Sequence, residues 1–252
     1  MLKELNRYVK RLSILLITVA LIVVMGGCLF SPSSQDLEIR TWYDLDAVRN
    51  NPGNHHVLMN DLDSTILGYE ELASPTANEG KGWRPIIGSG GDPAFTGIFD
   101  GQGYEIRDLF INLPDKGYVG IFSVVGEGGR IENTGVVNAD VTGYAGVGAL
   151  AGVNEGTVSN SYSTGSLTGT WWVGGLVGKN DWTVSDSFWD IETSGQATSP
   201  GGTGKTKAQM KNIATYSGME WDIVTVAPGV TNPTYTWNIV DGQTYPFLSW
   251  EL

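Results

Sequence analysis

The sequence predicts an all-β fold in which parallel strands stack into a solenoid. Glycine recurs at a fixed interval, since Gly117, Gly143, Gly169 and Gly195 are each 26 residues apart. A fixed period of 20–50 residues is typical of a solenoid, in which each repeat buries its apolar face against its neighbours. Long stretches of helical periodicity are absent from the sequence between these glycines, and β-branched and aromatic residues dominate it. The repeating unit is therefore β rather than α.

The first 27 residues predict export from the cytoplasm. Four basic residues precede a continuous apolar run, which ends in Gly26 and Gly27 directly before Cys28. That order is typical of a secretion signal, and the segment from Met25 to Cys28 resembles the bacterial lipobox. The resemblance implies cleavage after Gly27, lipidation of Cys28, and a protein anchored to the membrane at the cell surface. The alternative is an uncleaved signal anchor, because residues 12–30 are long enough to span a bilayer.

The chain that follows this signal is strongly acidic. Residues 28–252 carry 11 Lys and Arg residues against 26 Asp and Glu residues. This balance argues against nucleic-acid binding, because polyphosphate would be repelled. Cys28 is the sole cysteine of the sequence, so stability must come from burial and strand pairing. Residues 28–39 predict a flexible tether, and residues 40–252 are long enough for one domain.

The first part of that domain predicts a short helix and a long loop. Residues 41–53 have Thr41 at a suitable N-cap position and Leu45 on an apolar face. We expect this helix to cap the amino-terminal end of the solenoid. A strand follows, and residues 64–94, which are rich in Gly, Pro, Ser and Thr, predict a loop with one short strand.

Three clear repeats form the centre of the predicted solenoid of about five rungs. They occupy residues 117–142, 143–168 and 169–194. Their strands align at Ile131, Val158 and Val184, and a polar residue recurs two positions later, at Asn133, Asn160 and Asp186. We expect Val158 and Leu176 to point into the core. We expect the repeated glycines at tight corners, where a positive φ is needed.

The carboxy-terminal residues 203–252 predict a cap of different composition. Thr206 begins a short helix, and two aromatic-rich strands flank a turn at Asp241-Gly242. The open end of a solenoid exposes unpaired strand edges. We therefore expect this segment to cover the last rung.

The repeats resemble those of the GLUG-motif family. The motifs are GGLVG at Gly174–Gly178 and GALAG at Gly148–Gly152, each followed by a strand such as VSNSYSTGSLTG. The flanking segments FTGIFDGQGYEIRDL and YTWNIVDGQTYPFLSW extend the resemblance to residues 40–250. It implies a right-handed parallel β-helix, occurrence in adhesin-like surface proteins, and no established catalytic residues. The first repeat departs from the pattern, because GIFSVVG lacks the Gly-Gly-Leu core.

Nucleotide, metal and histidine chemistry have little support in the sequence. The segment GGTGKT at Gly201–Thr206 is similar to a phosphate-binding loop, but Ser199 stands where that motif requires its first glycine. His55 and His56 are adjacent on a predicted strand and point to opposite faces, so they cannot serve one site. We expect no cofactor and no metal; a Ca²⁺ site would use oxygen ligands, but no EF-hand spacing occurs.

Carboxylates are the candidates for an alternative function, that of a carbohydrate-active β-helix enzyme, either a polysaccharide lyase or a glycoside hydrolase. The acidic residues in question are Asp61, Asp63, Asp181, Asp186, Asp190 and Glu192. A glycosidase needs two carboxylates about 5–9.5 Å apart, and no basic residue accompanies them in the pattern that a lyase needs. A solvated acidic face is the simpler interpretation.

The tryptophans favour a binding function. Trp171, Trp172, Trp182 and Trp189 crowd one repeat, and Asn180 and Asp181 are suited to bonding sugar hydroxyls. Adjacent residues of an extended strand point to opposite faces, so we expect one of Trp171 and Trp172 to be exposed. The alternative is that the rings pack beneath the cap. The sequence thus predicts a non-catalytic interaction or adhesion module whose partner is a glycan or a surface protein.

Overall fold

Short β-strands are the main regular secondary structure of the chain that the structure describes. The structure is a computed structural model that describes residues 36–86 and 93–248, so Gly27, Cys28 and the predicted signal lie outside the described residues. In chain order the strands are β1 (Leu37–Ile39), β2 (His55–Leu58), β3 (Ile98–Asp100), β4 (Glu105–Arg107), β5 (Phe110–Val119), β6 (Phe122–Val125), β7 (Arg130–Glu132), β8 (Gly135–Val147), β9 (Ala151–Asn154), β10 (Thr157–Ser159), β11 (Tyr162–Thr168), β12 (Trp171–Val173), β13 (Val177–Asn180), β14 (Thr183–Ser185), β15 (Phe188–Asp190), β16 (Thr203–Lys205), β17 (Ile223–Thr225), β18 (Trp237–Ile239) and β19 (Phe247–Leu248).

These strands form four sheets with predominantly parallel pairing. Sheet A has the order β1-β2-β3-β7-β10-β14, and sheet C has the order β13-β9-β6. In sheet B, the long strand β8 pairs with β4 and β5 of the preceding repeat and with β11 and β12 of the following one, and β15 and β16 continue from β11. Sheet D contains β17, β18 and β19, and the pairing of β18 with β19 is antiparallel. The predicted all-β, parallel character is confirmed.

The strand register agrees with the predicted alignment of the second and third repeats. Val158 pairs with Ile131 on one side and with Val184 on the other. Val158 and Val184 are 26 residues apart, and the same offset joins Ala151 to Val177 in sheet C. Val158 and Leu176 are fully buried in the main core, as expected.

The first repeat does not follow the 26-residue spacing of its glycines. Gly117 pairs with Ala145, whereas Gly143 pairs with Leu113. Between these two pairs, residues 114–116 of β5 lie opposite Tyr144 alone, which makes a bulge with two extra residues. The equal spacing of Gly117 and Gly143 is therefore not a structural equivalence, because Gly117 and its partner Ala145 are 28 residues apart rather than 26.

The repeated glycines allow close approach of neighbouring segments, and most of the polar corners use other residues. Asn133, Asn160 and Asp186 have φ values of 54°, 46° and 43°, a region that Asn and Asp tolerate better than most residues. A Cβ on Gly178 would lie 2.3 Å from the Val147 nitrogen. The expectation that the glycines mark the positive-φ corners is wrong for Gly178, whose φ is not positive.

Helices are short and lie mainly outside the repeats. They are α1 (Trp42–Ala47), α2 (Tyr69–Leu72), α3 (Ala77–Gly80), α4 (Ile191–Ser194) and α5 (Lys207–Met210), with 3₁₀ segments at Val48–Asn50 and Ile213–Thr215. Thr41 caps α1 in a reciprocal capping box with Asp44, and Leu45 is fully buried. Helices α2 and α3 occupy the segment that the sequence predicted to be a loop with a strand. Strand β1 lies within the predicted tether.

The carboxy-terminal segment pairs with the last repeat through β16, and much of the rest of it packs beside the repeats. Thr206 caps α5, and β18 and β19 flank the Asp241-Gly242 turn, as the sequence predicted. A second aromatic core, however, joins this segment to Tyr162 and Phe188, which project from the outer side of sheet B. The rings of Tyr162 and Trp237 are 5.9 Å apart. At the end of the repeats, strand pairing by this segment is limited to β16 beside β15 and a bridge from Gly201 to Val177.

Candidate functional site

Three tryptophans of the last repeat are exposed. The exposed fractions are 60% for Trp171, 56% for Trp172 and 68% for Trp182, whereas Trp189 of the same repeat is buried in the main core. Large aromatic side chains usually stabilise a fold by burial. These three rings have the highest exposed fractions among the large aromatic side chains of the described residues, and the packing of Trp182 beneath a cap is not observed.

The backbone of Trp172 explains why both adjacent tryptophans face solvent. We expected opposite faces, because side chains alternate along an extended strand. Trp172 instead has a φ of +52°, in the left-handed region. This conformation breaks the alternation of β12, and both rings are exposed where we expected one. A left-handed conformation is costly for a bulky residue and is over-represented at functional sites.

Trp172 belongs to a row of three equivalent positions. The pairing of β5, β8 and β12 places Tyr118, Gly146 and Trp172 side by side, and their φ values are 62°, 61° and 52°. We call this row the aromatic corner. Neighbouring strands lie about 4.8 Å apart, so Tyr118 and Trp172 flank the glycine at about twice that spacing. A Cβ on Gly146 would lie 2.9 Å from Tyr118 Cδ1, which shows that the tyrosine ring leans over the glycine.

Tyr118 and Tyr144 were not identified from the sequence, although both are exposed at this face. Thr170, which precedes the two tryptophans, donates its N–H to the Tyr144 carbonyl oxygen at 2.9 Å. The signal that could have found Tyr118 is the dipeptide Val-Gly, which follows each position of the aromatic corner at 119–120, 147–148 and 173–174. The 26-residue glycine period hid this correspondence, because that period aligns Tyr118 with Tyr144 instead of with Gly146.

Asn180, Asp181 and Trp182 form a turn beside the last strand of sheet A. Asn180 Oδ1 accepts from Asn154 Nδ2 at 2.8 Å, and its Nδ2 donates to the Trp182 carbonyl oxygen at 3.0 Å. Asp181 pairs with Lys179, and this hydrogen bond raises the pKa of the lysine ammonium. The predicted polar partners are thus engaged with the protein itself, and the exposed ring of Trp182 is the part available to a ligand.

The two groups of tryptophans lie at opposite ends of β13 along the chain. Trp171 and Trp172 precede it and Trp182 follows it. Strands β12, β13 and β14 are each the terminal strand of a sheet path. The rings therefore occupy the open edge of the repeats, where backbone groups of β12 and β14 also face outwards. The described aromatic residues make no ring contact that brings the two groups together.

The acidic residues considered for catalysis have structural partners. Asp190 is buried, caps α4 through Oδ1 and accepts from the Tyr245 hydroxyl at 2.5 Å through Oδ2. Glu192 accepts from the Lys207 N–H at 3.1 Å. Asp186 lies at a corner where its carbonyl oxygen accepts from Trp221 Nε1 at 2.6 Å. These contacts place the acids of the third repeat in the junction with the carboxy-terminal segment.

The acidic pair near the amino terminus and the two histidines also have local partners. Asp61 accepts from the Glu105 N–H at 2.8 Å, and Asp63 accepts from the Thr65 N–H at 2.7 Å. His56 is buried and its ring bonds the Asn51 carbonyl oxygen at 2.8 Å, whereas His55 contacts the exposed Asp36. The predicted opposite orientation of the histidines is thus present. Within the described residues, no group of three or more His, Cys, Asp and Glu side chains could hold a metal ion.

Two curated proteins are similar to part of the chain. A protein of Evansella cellulosilytica named as a Gly-rich membrane protein is 38% identical over 108 residues, which is 41% of this chain and 11% of the relative. Halomucin of Haloquadratum walsbyi is 34% identical over 109 residues, which is 42% of this chain and 1% of the relative. The chain therefore spans a small part of either protein. No family model and no solved structure matches it. Among the described residues, no helix is long and apolar enough to cross a bilayer.

Proposed function

We propose that this protein is a surface-attached, non-catalytic interaction module that binds a glycan or a partner protein through its exposed aromatic rings. The observation that carries the proposal is the exposure of Trp171 and Trp172 on the terminal strand β12 and of Trp182 between the terminal strands β13 and β14. Exposed aromatic rings stack on sugar rings and anchor protein interfaces. A monomeric fold gains nothing from leaving three such rings in water.

The proposed architecture is a right-handed parallel β-helix of the GLUG type. The chain passes in turn through sheets A, B and C, and equivalent residues of the second and third repeats pair at one constant offset. The glycines of the motif support this assignment. Gly152 and Gly178 lie where sheet C approaches the end of the long sheet B strands, and a Cβ on Gly152 would lie 2.4 Å from the Tyr118 carbonyl carbon.

The proposed location is the cell surface, with the chain held by a lipid on Cys28. The support is the order of basic, apolar and small residues before a sole cysteine. The similarity to a protein named as a membrane protein agrees with a membrane-associated location. A lipid anchor on a tether would leave the open edge of the repeats free to meet a partner.

A glycan fits the exposed rings better than a purely apolar partner. Polar groups lie beside two of the exposed rings, because Trp182 follows Asn180 and Asp181, and Tyr118 lies near Lys179. Alternation of flat apolar faces and hydrogen-bonding groups is the chemistry of a pyranose ring. The non-catalytic part of the proposal is supported by Asp190 and Asp61, whose carboxylates accept hydrogen bonds from neighbouring groups.

Single substitutions of the exposed rings test this function. Trp172→Ala and Trp182→Ala should weaken adhesion to cell-wall glycan or to partner cells, while the melting temperature stays close to that of the wild type. Tyr235→Ala serves as the matched control, because Tyr235 is an exposed aromatic residue of the carboxy-terminal segment. Unchanged adhesion in both tryptophan variants would refute a role for these rings, and a fall in melting temperature instead would assign them to stability.

A further inference from the structure

A cleft with basic walls opens beside the aromatic corner. It has a volume of about 850 Å³, and Lys81, Arg84, Lys116, Glu79, Leu113 and Tyr118 are among the residues that line it. Three cations against one carboxylate give the cleft a positive charge, although the whole chain has a formal net charge of −12. This volume lies within the range of about 300–1,000 Å³ that is usual for sites of small ligands.

One wall of the cleft is fixed by backbone hydrogen bonds to β5. The Trp83 N–H donates to the Phe110 carbonyl oxygen at 2.8 Å, and the Asn112 N–H donates to the Lys81 carbonyl oxygen at 2.8 Å. Arg49 supports the same wall, because its guanidinium donates to the Arg84 carbonyl oxygen at 3.0 Å. The Arg84 side chain is thus carried by a segment whose backbone is held in place.

The opposite wall is the bulge of β5. Lys116 belongs to the three residues that lie opposite Tyr144 alone, and two of these residues are extra relative to β8. A bulge turns side chains away from the direction that a regular strand would give them. The irregularity of the first repeat therefore places Lys116 at the cleft, and an exact repeat of β8 would not.

Arg84 and Lys116 of this cleft are available to a ligand, whereas many other cations of the described residues are paired. Arg40, Arg49, Arg107, Arg130 and Lys179 each pair with a carboxylate of the protein. Arg84 and Lys116 form no ion pair with a described residue, and Lys81 meets the highly exposed Glu79 at 3.3 Å. Two cations that face one cleft and form no ion pair within the described residues are suited to an oxyanion, which they bind by charge-assisted hydrogen bonds.

Tyr118 connects the cleft to the aromatic corner. It lines the cleft, and its ring leans over Gly146 in the row that continues to Trp172. A chain of sugars stacked on Trp172 and Tyr118 would therefore continue into the space between Arg84 and Lys116. The rings would hold its apolar faces, and the cations would hold an acidic group on the sugar that follows.

We propose that this cleft is a subsite for a carboxylate-bearing sugar, so that the preferred ligand is a short acidic oligosaccharide. The inference rests on the proposed glycan-binding function and names the class of glycan. The acidic surface of the protein opposes such a ligand at long range, but exposed charges are screened beyond about 8 Å at physiological ionic strength. Contacts inside the cleft act at shorter distances than that.

Isothermal titration calorimetry of the full chain with three probes tests the subsite. The probes are trigalacturonate, its uncharged analogue galactotriose, and tripolyphosphate. We expect the wild type to prefer trigalacturonate over galactotriose by about tenfold in Kd, and the double variant Arg84→Gln/Lys116→Gln to lose that preference. The control Lys205→Gln/Lys207→Gln removes the same charge elsewhere and should retain it. Trp172→Ala should weaken the binding of both sugars.

The other outcomes are also decisive. Equal trigalacturonate binding by the double variant and the wild type would overturn the subsite. Equal binding of both sugars, with loss of both in Trp172→Ala, would retain the glycan-binding function and overturn the preference for acid. Tripolyphosphate bound as tightly as trigalacturonate at the same residues would reduce the cleft to a general anion site. Absence of binding by either sugar would overturn both proposals.

Discussion

Replacing Gly178 by alanine should destabilise the protein far more than the same change at Gly117. A Cβ on Gly178 would lie 2.3 Å from the Val147 nitrogen and 2.4 Å from the Gly146 carbon, which are backbone atoms that cannot rotate away. At Gly117 the nearest atom, the Ala145 carbonyl oxygen, would lie 3.4 Å from the added Cβ. Neither residue has a positive φ, so the two variants differ in space and not in backbone strain.

The magnitude follows from overpacking. Extra methylene-sized groups in a packed interior typically cost about 1–3 kcal/mol, and 1 kcal/mol shifts the melting temperature of a domain of this size by about 2–4 °C. Gly178→Ala should therefore lower the melting temperature by about 2–12 °C. Gly117→Ala should stay within about 0.5 kcal/mol of the wild type. Circular dichroism melting of the three proteins side by side measures both effects.

Equal melting temperatures of Gly178→Ala and Gly117→Ala would refute the reasoning. The repeated glycines would then not be required for the close approach of sheet C to sheet B, and their recurrence would need another explanation. Gly152→Ala provides a second test, since its Cβ would lie 2.4 Å from the Tyr118 carbonyl carbon. It should resemble Gly178→Ala.

Three further predictions concern the anchor, the core and the pH dependence of stability. Cys28→Ala should abolish metabolic lipid labelling and leave an unprocessed precursor, and equal labelling would contradict the lipid anchor. Val158→Asp buries an unpaired charge at a fully buried position, so it should cost several kcal/mol, and an unchanged melting temperature would contradict its place in the core. Burial lowers the pKa of His56 from 6.5. Its contribution to stability is therefore full above that value and is lost as the pH falls through it. His56→Gln should reduce the change in the free energy of unfolding between about pH 7.5 and 5.5. An unchanged pH dependence of this free energy would contradict the contribution of His56.

The parts of the fold that the sequence predicted are those set by local chemistry. Thr41 and Thr206 cap helices because their side chains satisfy free backbone N–H groups. Val158 pairs with Ile131 and Val184 because a one-residue slip would turn its side chain out of the core. Each of these features is decided within a few residues or by the inward-outward alternation of a strand.

The parts that it did not predict depend on contacts between distant segments. The first repeat pairs with the second at offsets other than 26 residues, so the glycine period alone could not reveal that Gly117 lies opposite Ala145. The left-handed backbone of Trp172 is unusual for its residue type. Tyr162 and Phe188 read as ordinary strand residues, and their role as the base of a second core appears only when the carboxy-terminal segment lies against them.

The candidate site was predicted in part for the same reason. The sequence indicated Trp171, Trp172 and Trp182, because three tryptophans in one repeat are conspicuous whatever their environment. It did not find Tyr118, whose importance comes from its position next to Gly146 two strands before Trp172. It also assigned Asn180 and Asp181 to a ligand, whereas the structure pairs them with Asn154 and Lys179.

The bulge in β5 has a consequence for how this protein could be engineered. In a perfectly periodic chain every repeat exposes the same side chains, so a ligand finds the same contacts at each repeat. The two additional residues beside Lys116 are one place where that translational symmetry is broken. Deleting them should restore the regular ladder opposite Tyr144 while removing one position along the repeats at which a ligand's register is defined. Inserting a second copy of the second repeat, in contrast, should lengthen the stack of repeats by about 4.8 Å without adding a distinct binding position.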